Sequence, residues 1–138
     1  MSVIALDVGE RRIGVAVADP SCTFSLPYGV IERTAVRDDI RRIVDIARER
    51  EADVIVVGDP VRLDGERGLA TQRIDRFVEA LGRAWPGQIE RVDERLTTAQ
   101  ATRTLIDADV SRRRRKRVVD KLAAALILDV YLARRTRE

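Results

Sequence analysis

The sequence predicts an α/β domain with a mixed central sheet flanked by helices. Short apolar, β-branched runs come first in the chain, and a continuous apolar run follows at residues 53–57. Apolar residues at helical spacing lie between and after these runs. Because strands that alternate with helices bury their faces against those helices, the pattern favours a layered α/β architecture.

Three strands open the predicted fold. Val3–Val8 is apolar and β-branched, residues 9–12 form a turn, and Ile13–Ala18 is a second strand, so the two predict a hairpin. A third strand, Tyr28–Arg33, follows Pro27.

Helices and strands alternate after the third strand. A helix is predicted over about 36–50, then a buried strand Asp53–Val57, a loop Val61–Gly68 and a helix that Pro86-Gly87 ends. The strand Gln88–Val92 follows, then a helix with Thr97 and Gln100 at capping-box spacing, and a last helix over roughly 112–134. Three leading strands followed by this alternation is the ribonuclease-H-like order, although other α/β folds share it.

Length and composition predict one domain over residues 1–138. No apolar run approaches the roughly 18 residues that cross a bilayer, so no membrane partner is expected. The N-terminal residues lack a signal-peptide pattern, and the single cysteine, Cys22, cannot form an internal disulfide. We therefore expect a cytoplasmic protein.

The absence of histidine narrows the chemistry. No imidazole is available as a base or a metal ligand, and one cysteine excludes the usual Cys/His zinc sites. A catalytic metal would need oxygen ligands, which favours Mg²⁺ or Mn²⁺.

Charge is unevenly distributed along the chain. Residues 1–110 contain 16 Lys/Arg and 20 Asp/Glu, a balance of −4, whereas residues 111–138 contain 10 and 3, a balance of +7. A basic end on an acidic domain suggests a polyanionic partner. A solvated helix that maintains solubility explains the same charge equally well.

Three carboxylates are candidate metal ligands. Asp7 interrupts an apolar strand, where a charge is costly unless it is paired or bound to a cation. Glu94 follows a strand and precedes a helix, a usual ligand position in α/β proteins. Asp120 shares a helical face with Ala124, Ile127 and Tyr131 and is therefore expected to be buried.

Each carboxylate also has a structural explanation. Asp7 could cap the turn towards Arg11 or Arg12, and Glu94 could favour a helix dipole together with Asp93. Asp120 could form a salt bridge with Arg95. If the three carboxylates converge instead, they could hold a pair of cations that activates water and orients a phosphodiester.

The last predicted helix begins with a basic run. Cations at a helix N-terminus oppose its dipole and repel one another, and a phosphate backbone would relieve both effects. Aromatic residues make up only 4% of the chain, so we expect phosphate contacts and shape recognition rather than base stacking. The predicted nucleic-acid contacts are Arg11, Arg12, Arg95, Arg112, Arg113, Arg114, Arg115, Lys116 and Arg117.

Four blocks of the chain, in order, resemble the YqgF/RuvX family of Holliday-junction-resolvase-like nucleases. These are Leu6-Asp7-Val8-Gly9 with 11–16; 56–58 with Pro60, Asp64-Gly65 and Gly68; Asp93-Glu94-Arg95-Leu96-Thr97-Thr98; and 115–117 with Val119-Asp120 and 123–128.

The resemblance implies a ribonuclease-H-like fold, a cytoplasmic location and a nuclease that matures the 5′ end of pre-16S ribosomal RNA. By position, the resemblance implies that the acidic residues of the family correspond to Asp7, Glu94 and Asp120. Structured RNA, such as precursor rRNA, is the expected substrate, and branched DNA is the alternative. Two departures are Asp59, where the family usually has an apolar residue, and Val92, where a large residue is common.

Two other functions compete with the nuclease. The pattern Asp7-x-Gly9 before a hairpin resembles the phosphate loop of actin-like kinases, but the chain is too short for both of their lobes. A non-catalytic RNA-binding module would keep the basic run and show no metal dependence.

For the oligomeric state, we expect a monomer or a weak homodimer.

Overall fold

The computed structural model describes residues 1–59, 68–93 and 112–137, excluding the side chains of residues 70, 112–121, 136 and 137. Within these ranges the chain forms five strands and three helices. They are β1 (Val3–Val8), β2 (Arg12–Ala18), β3 (Ser25–Glu32), α1 (Val36–Glu49), β4 (Val54–Asp59), α2 (Leu69–Ala84), β5 (Gln88–Asp93) and α3 (Arg112–Arg137).

The strands form one mixed sheet in the order β3-β2-β1-β4-β5. The first three strands pair antiparallel, whereas β4 pairs parallel with β1, and β5 pairs parallel with β4. The predicted mixed central sheet flanked by helices is therefore confirmed, and the predicted hairpin between β1 and β2 is present, with its turn at residues 9–11 rather than 9–12.

Most predicted elements agree with the structure to within one to three residues. The largest differences are of three residues: α3 ends at Arg137 rather than near residue 134, and β3 begins at Ser25 rather than Tyr28 and therefore includes Pro27. An edge strand tolerates proline because one side of its backbone forms no ladder. The predicted loop before Gly68 and the predicted helix near Thr97 and Gln100 lie outside the described residues.

The two faces of the sheet are covered by different helices. Ile4 and Leu6 of β1 pack in a cluster with α1 and α2, whereas Val3 and Ala5 pack in a second cluster with α3. Successive residues of a strand point to opposite faces, and both faces of β1 are buried. This explains why β1 is continuously apolar up to Asp7.

Asp19 fixes the turn that connects β2 to β3. Its carboxylate accepts hydrogen bonds from the backbone N–H groups of Ser21, Thr23 and Phe24, at 3.0, 2.7 and 2.8 Å, and from the Ser21 hydroxyl. Burial by itself raises the pKa of Asp19, but these hydrogen bonds to the ionised form outweigh it and lower the pKa to about 2.

The low pKa of Asp19 predicts an acid-sensitive contribution to stability. Because the pKa is lower in the folded than in the unfolded chain, the ionised carboxylate stabilises the fold above about pH 4, and this contribution is lost as pH falls towards about 2. We expect Asp19→Asn to lower the melting temperature at neutral pH and to approach the wild type at about pH 2. A melting-temperature difference that stays constant over this range would contradict the assignment.

Candidate metal and nucleic-acid site

Asp7 lies near the end of β1, a central strand of the sheet. Val3 and Ala5 of β1 pack against α3, so the alternation of side chains directs Asp7 to this same face. Asp7 is half-buried, whereas the four preceding residues of β1 are fully buried. The carboxylate is thus at the boundary between the apolar core and the end of the sheet.

Glycines lie beside Asp7 on both neighbouring strands. Gly14 of β2 is its direct partner across the antiparallel ladder. On the other side, Leu6 pairs with Val57 of β4, so the parallel register brings Gly58 next to Asp7. Neither glycine has a side chain to occupy the α3 face. Glycines at these two positions allow another group to approach the backbone closely from the α3 face.

The turn after Asp7 is held tightly in place. The Gly9 N–H donates to the carbonyl of Arg12 at 2.8 Å, and a Cβ at Gly9 would approach that carbonyl oxygen to 2.9 Å. Arg33 donates to the carbonyl of Gly9 at 2.7 Å and forms an ion pair with the fully buried Asp39 at 3.0 Å. Arg33 therefore connects the backbone of Gly9, two residues after Asp7, to α1.

Asp59 faces away from Asp7. Ile55 and Val57 of β4 pack with α1 and α2, so the alternation places Asp59 on that side of the sheet. The guanidinium of Arg91 lies 3.2 Å from its carboxylate and also pairs with Asp75 of α2. Asp93 is the partner of Asp59 in the β4–β5 ladder. Asp59, one of the two departures from the family pattern, therefore lies on the face opposite to Asp7, in an ion pair with Arg91.

The C-terminal half of helix α3 contacts the end of the sheet where β1 begins. Near its C-terminus, Arg135 contacts the sulfur of Met1 at 3.0 Å, and the carboxylate of Asp129 accepts a hydrogen bond from the Ser25 N–H at 3.0 Å. Met1 and Ser25 lie at the end of the sheet where β1 begins. The C-terminal half of α3 therefore lies at the end of β1 opposite to Asp7.

The helical face that contains residue 120 was predicted to be buried. The residues that share its helical face, Ala124, Ile127 and Tyr131, are buried against the sheet, as predicted. Residue 120 precedes Tyr131 by eleven residues, which is about 16 Å along the helix axis. Its side chain is not among those described.

Glu94 and Arg95, the other predicted residues of this site, lie outside the described residues. In the part of the chain that is described, no three acidic or cysteine side chains form a group that could hold a metal. That part lacks Glu94 and the side chain of Asp120, and it contains Asp7 of the predicted triad. The convergence of the three carboxylates stays a prediction.

The predicted nucleic-acid contacts fall into two groups. Residues 112–117 form the first turns of α3, and their side chains are not described. In the hairpin, Arg11 is exposed and forms no ion pair or hydrogen bond through its side chain with a described residue, whereas Arg12 forms an ion pair with Glu32 at 3.2 Å. Arg11 is therefore the freer of the two hairpin cations to contact a phosphate.

The sequence did not identify every residue that shapes this site. The roles of Gly14 and Gly58 depend on strand register, which joins positions far apart in the chain. Arg33 and Arg91 were not singled out because nothing in their local sequence distinguishes them from the many other arginines. For Gly14 and Gly58 the available signal was a glycine within an apolar strand, which often marks a close approach of another group.

Comparison with known proteins identifies the family. A family model described as RuvX, Holliday junction resolvase, matches residues 1–134. A protein of Thermoanaerobacter pseudethanolicus named "Putative pre-16S rRNA nuclease" is 46% identical over 133 residues, covering 96% of each chain. A protein of the same name from Desulforudis audaxviator is 42% identical over 132 residues, covering 96% of this chain and 94% of the relative.

Solved structures of resolvases share the fold. RuvC of Thermus thermophilus, solved with a Holliday junction substrate, matches with a TM-score of 0.60 at 15% identity, covering 98% of this chain and 96% of RuvC. Fowlpox virus resolvase, also solved with Holliday junction DNA, gives 0.57 at 10% identity, covering 97% and 98%. At these identities the likeness concerns the ribonuclease-H-like fold. The family model and the relatives, by contrast, cover nearly the whole sequence: the chain belongs to the RuvX family.

Proposed function

We propose that this protein is a metal-dependent nuclease that hydrolyses phosphodiester bonds, with Asp7, Glu94 and Asp120 as its metal ligands. The observation that carries the proposal is the position of Asp7, half-buried at the end of a central strand with a glycine on each neighbouring strand. A carboxylate flanked by glycines at the end of an apolar strand is suited to binding a cation, because a charge there needs compensation.

The available ligands fit Mg²⁺ or Mn²⁺. The chain has no histidine, so carboxylate and other oxygen donors would form the site, as these hard cations prefer. When bound, such a cation lowers the pKa of a coordinated water and neutralises charge on the phosphate. Asp7, Glu94 and Asp120 would be ionised and would hold the metal, and none of them needs to act as the general base.

The remaining residues would bind and orient the nucleic acid. Arg11 lies on the hairpin that follows Asp7, and the basic run at residues 112–117 lies within three turns of residue 120 on α3. Phosphate contacts at these positions would hold a strand across the end of the sheet. Arg12, already paired with Glu32, would contribute less, and Arg95 would either hold a neighbouring carboxylate or contact phosphate.

Precursor 16S rRNA is the substrate that the relatives support. Their shared name assigns them to pre-16S rRNA, and they match this chain over nearly its full length. A branched DNA substrate is the alternative, because the family model is described as a Holliday junction resolvase.

We propose a cytoplasmic, single-domain protein that acts as a monomer or weak homodimer. No helix among the described residues is long and apolar enough to span a membrane.

Asp7→Asn should abolish cleavage. The substitution preserves size but removes the charge that holds the metal, so we expect the cleavage rate with Mg²⁺ or Mn²⁺ to fall by more than about 100-fold. The assay uses a precursor rRNA fragment and a four-way DNA junction in parallel. Asp59→Asn, on the opposite face, is the matched control and should keep most of the activity. Equal cleavage rates for wild type and Asp7→Asn would exclude the catalytic assignment of Asp7, whereas no cleavage by the wild type would favour the non-catalytic RNA-binding module.

The same pair of variants should separate in metal binding. Calorimetric titration with Mn²⁺ should show that Asp7→Asn loses measurable binding, whereas Asp59→Asn changes the affinity by less than about threefold, because its carboxylate is paired with Arg91 on the other face. Loss of Mn²⁺ binding in Asp59→Asn alone would place the metal on the wrong side of the sheet for this proposal.

The basic run should control the salt dependence of binding. Each phosphate contact contributes roughly 0.7–0.9 to the slope of log affinity against log salt, so replacing Arg113 and Arg114 with glutamine should flatten the slope by about 1 to 2. Replacing Arg41 and Arg48, which are exposed on α1 across the sheet, removes the same charge and should leave the slope nearly unchanged. Equal slopes for both double variants would show that nucleic acid docks elsewhere.

A further inference from the structure

A cavity lies next to the turn between β1 and β2 that follows Asp7. On the α1/α2 side of the sheet, a cavity of about 470 Å³ is bounded by Val8 of β1, Val36 of α1, and Ile74 and Phe77 of α2. Its volume is within the range of roughly 300–1,000 Å³ that is typical of small-molecule sites. The cavity has room for a single nucleotide but not for a duplex.

The rim of this cavity is cationic. Arg73 and Arg76 of α2 contribute to its lining, as does Arg33. Arg73 pairs with Glu10 at 2.9 Å, but both side chains are largely exposed, so the pair is weak and a phosphate could replace Glu10. Arg76 is exposed and forms no hydrogen bond or ion pair with any described residue. Two arginines are thus available to bind an anion.

The wall formed by Arg33 is rigid. Its guanidinium is held by the carboxylate of Asp39 and the carbonyl of Gly9, and it lies over the ring of Phe77, 5.5 Å from the ring centroid. This packing fixes one side of the cavity before any ligand binds. A preformed pocket with apolar walls and a cationic rim matches a nucleotide, which has a flat apolar face and an anionic phosphate.

The cavity and the proposed metal site share one strand end. Val8 and Gly9, which line it, are the two residues that follow Asp7 in the chain. Asp7 faces α3 and Val8 faces α2, so the two sites lie on opposite sides of the same strand end. A nucleic-acid strand whose phosphate reaches Asp7 would cross the turn between β1 and β2 and place a neighbouring nucleotide at the cavity.

We propose that this cavity holds one unpaired nucleotide of the substrate strand, next to the phosphate that is hydrolysed. The base would contact the apolar walls, and its phosphate would contact Arg73 and Arg76. This inference rests on the proposed nuclease function and adds to it a requirement on the substrate. Strands with an unpaired nucleotide beside the cleavage position are accepted, and fully paired strands are not.

Binding to single-stranded RNA with one abasic position tests the proposal directly. A 12-nucleotide strand is prepared with the abasic site moved along its length, and affinities are measured by fluorescence anisotropy without divalent cation, so that cleavage plays no part. At one position, the wild type should lose about tenfold in affinity, the size expected when contacts to one base are lost.

Two variants and their controls locate the effect. Val36→Trp, at a half-exposed wall position, fills the cavity, and Val130→Trp makes the same change at a similarly exposed valine of α3. Arg76→Gln removes a rim cation, and Arg83→Gln removes one farther along α2. Val36→Trp should bind the intact strand about tenfold more weakly and lose its sensitivity to the abasic site. Arg76→Gln should weaken binding severalfold, and both controls should behave as the wild type.

The outcomes separate the two proposals. If the wild type has no sensitive position, or if Val36→Trp and Arg76→Gln keep the wild-type profile, the cavity does not hold a nucleotide. If the profile is as expected but the wild type does not cleave with Mg²⁺ or Mn²⁺, the nuclease function fails while the nucleotide site stands. Circular dichroism of each variant checks that the fold is retained.

Discussion

The alternation of side chains along the central strands determines the chemistry at both faces of this protein. β1 is buried on both faces, and each of its residues must point to one helical layer or the other. Asp7 points to α3, between two glycines. A charge at this position is costly unless something compensates for it. The same strand geometry that buries the apolar residues therefore also presents one carboxylate to a restricted space.

This constraint separates two sets of acidic residues that the sequence alone could not distinguish. Asp59 and Asp93 are the last residues of β4 and β5, and Asp7 is the second-to-last residue of β1. Because these strands are parallel, all three residues lie at the same end of the sheet. Asp59 nevertheless faces α2, where Arg91 joins it to Asp75. Asp59 therefore contributes to an ion-pair cluster that connects β4 and β5 to α2, whereas Asp7 faces α3.

Much of the fold could be predicted from the sequence because the strongest signals are local. Apolar runs and helical spacing identified the strands and helices, and the buried face of α3 at Ala124, Ile127 and Tyr131 followed from spacing alone. Strand register could not be predicted, because it depends on pairing between segments as distant as β1 and β4. The extension of β3 through Pro27 was missed because a proline signals the end of a strand unless its edge position is known.

The candidate site was predictable only in part for the same reason. Asp7 was identified from a charge within an apolar strand, but the glycines beside it and the ion pair of Asp59 depend on tertiary contacts.

The central claim is that a divalent cation binds on the α3 face at the end of β1. A crystal structure with Mn²⁺, located by anomalous scattering, tests it most directly. The account predicts a metal about 2.0–2.3 Å from oxygens of Asp7, Glu94 and Asp120. A metal at Asp59 and Asp93, or arginines occupying all three predicted carboxylates, would contradict it.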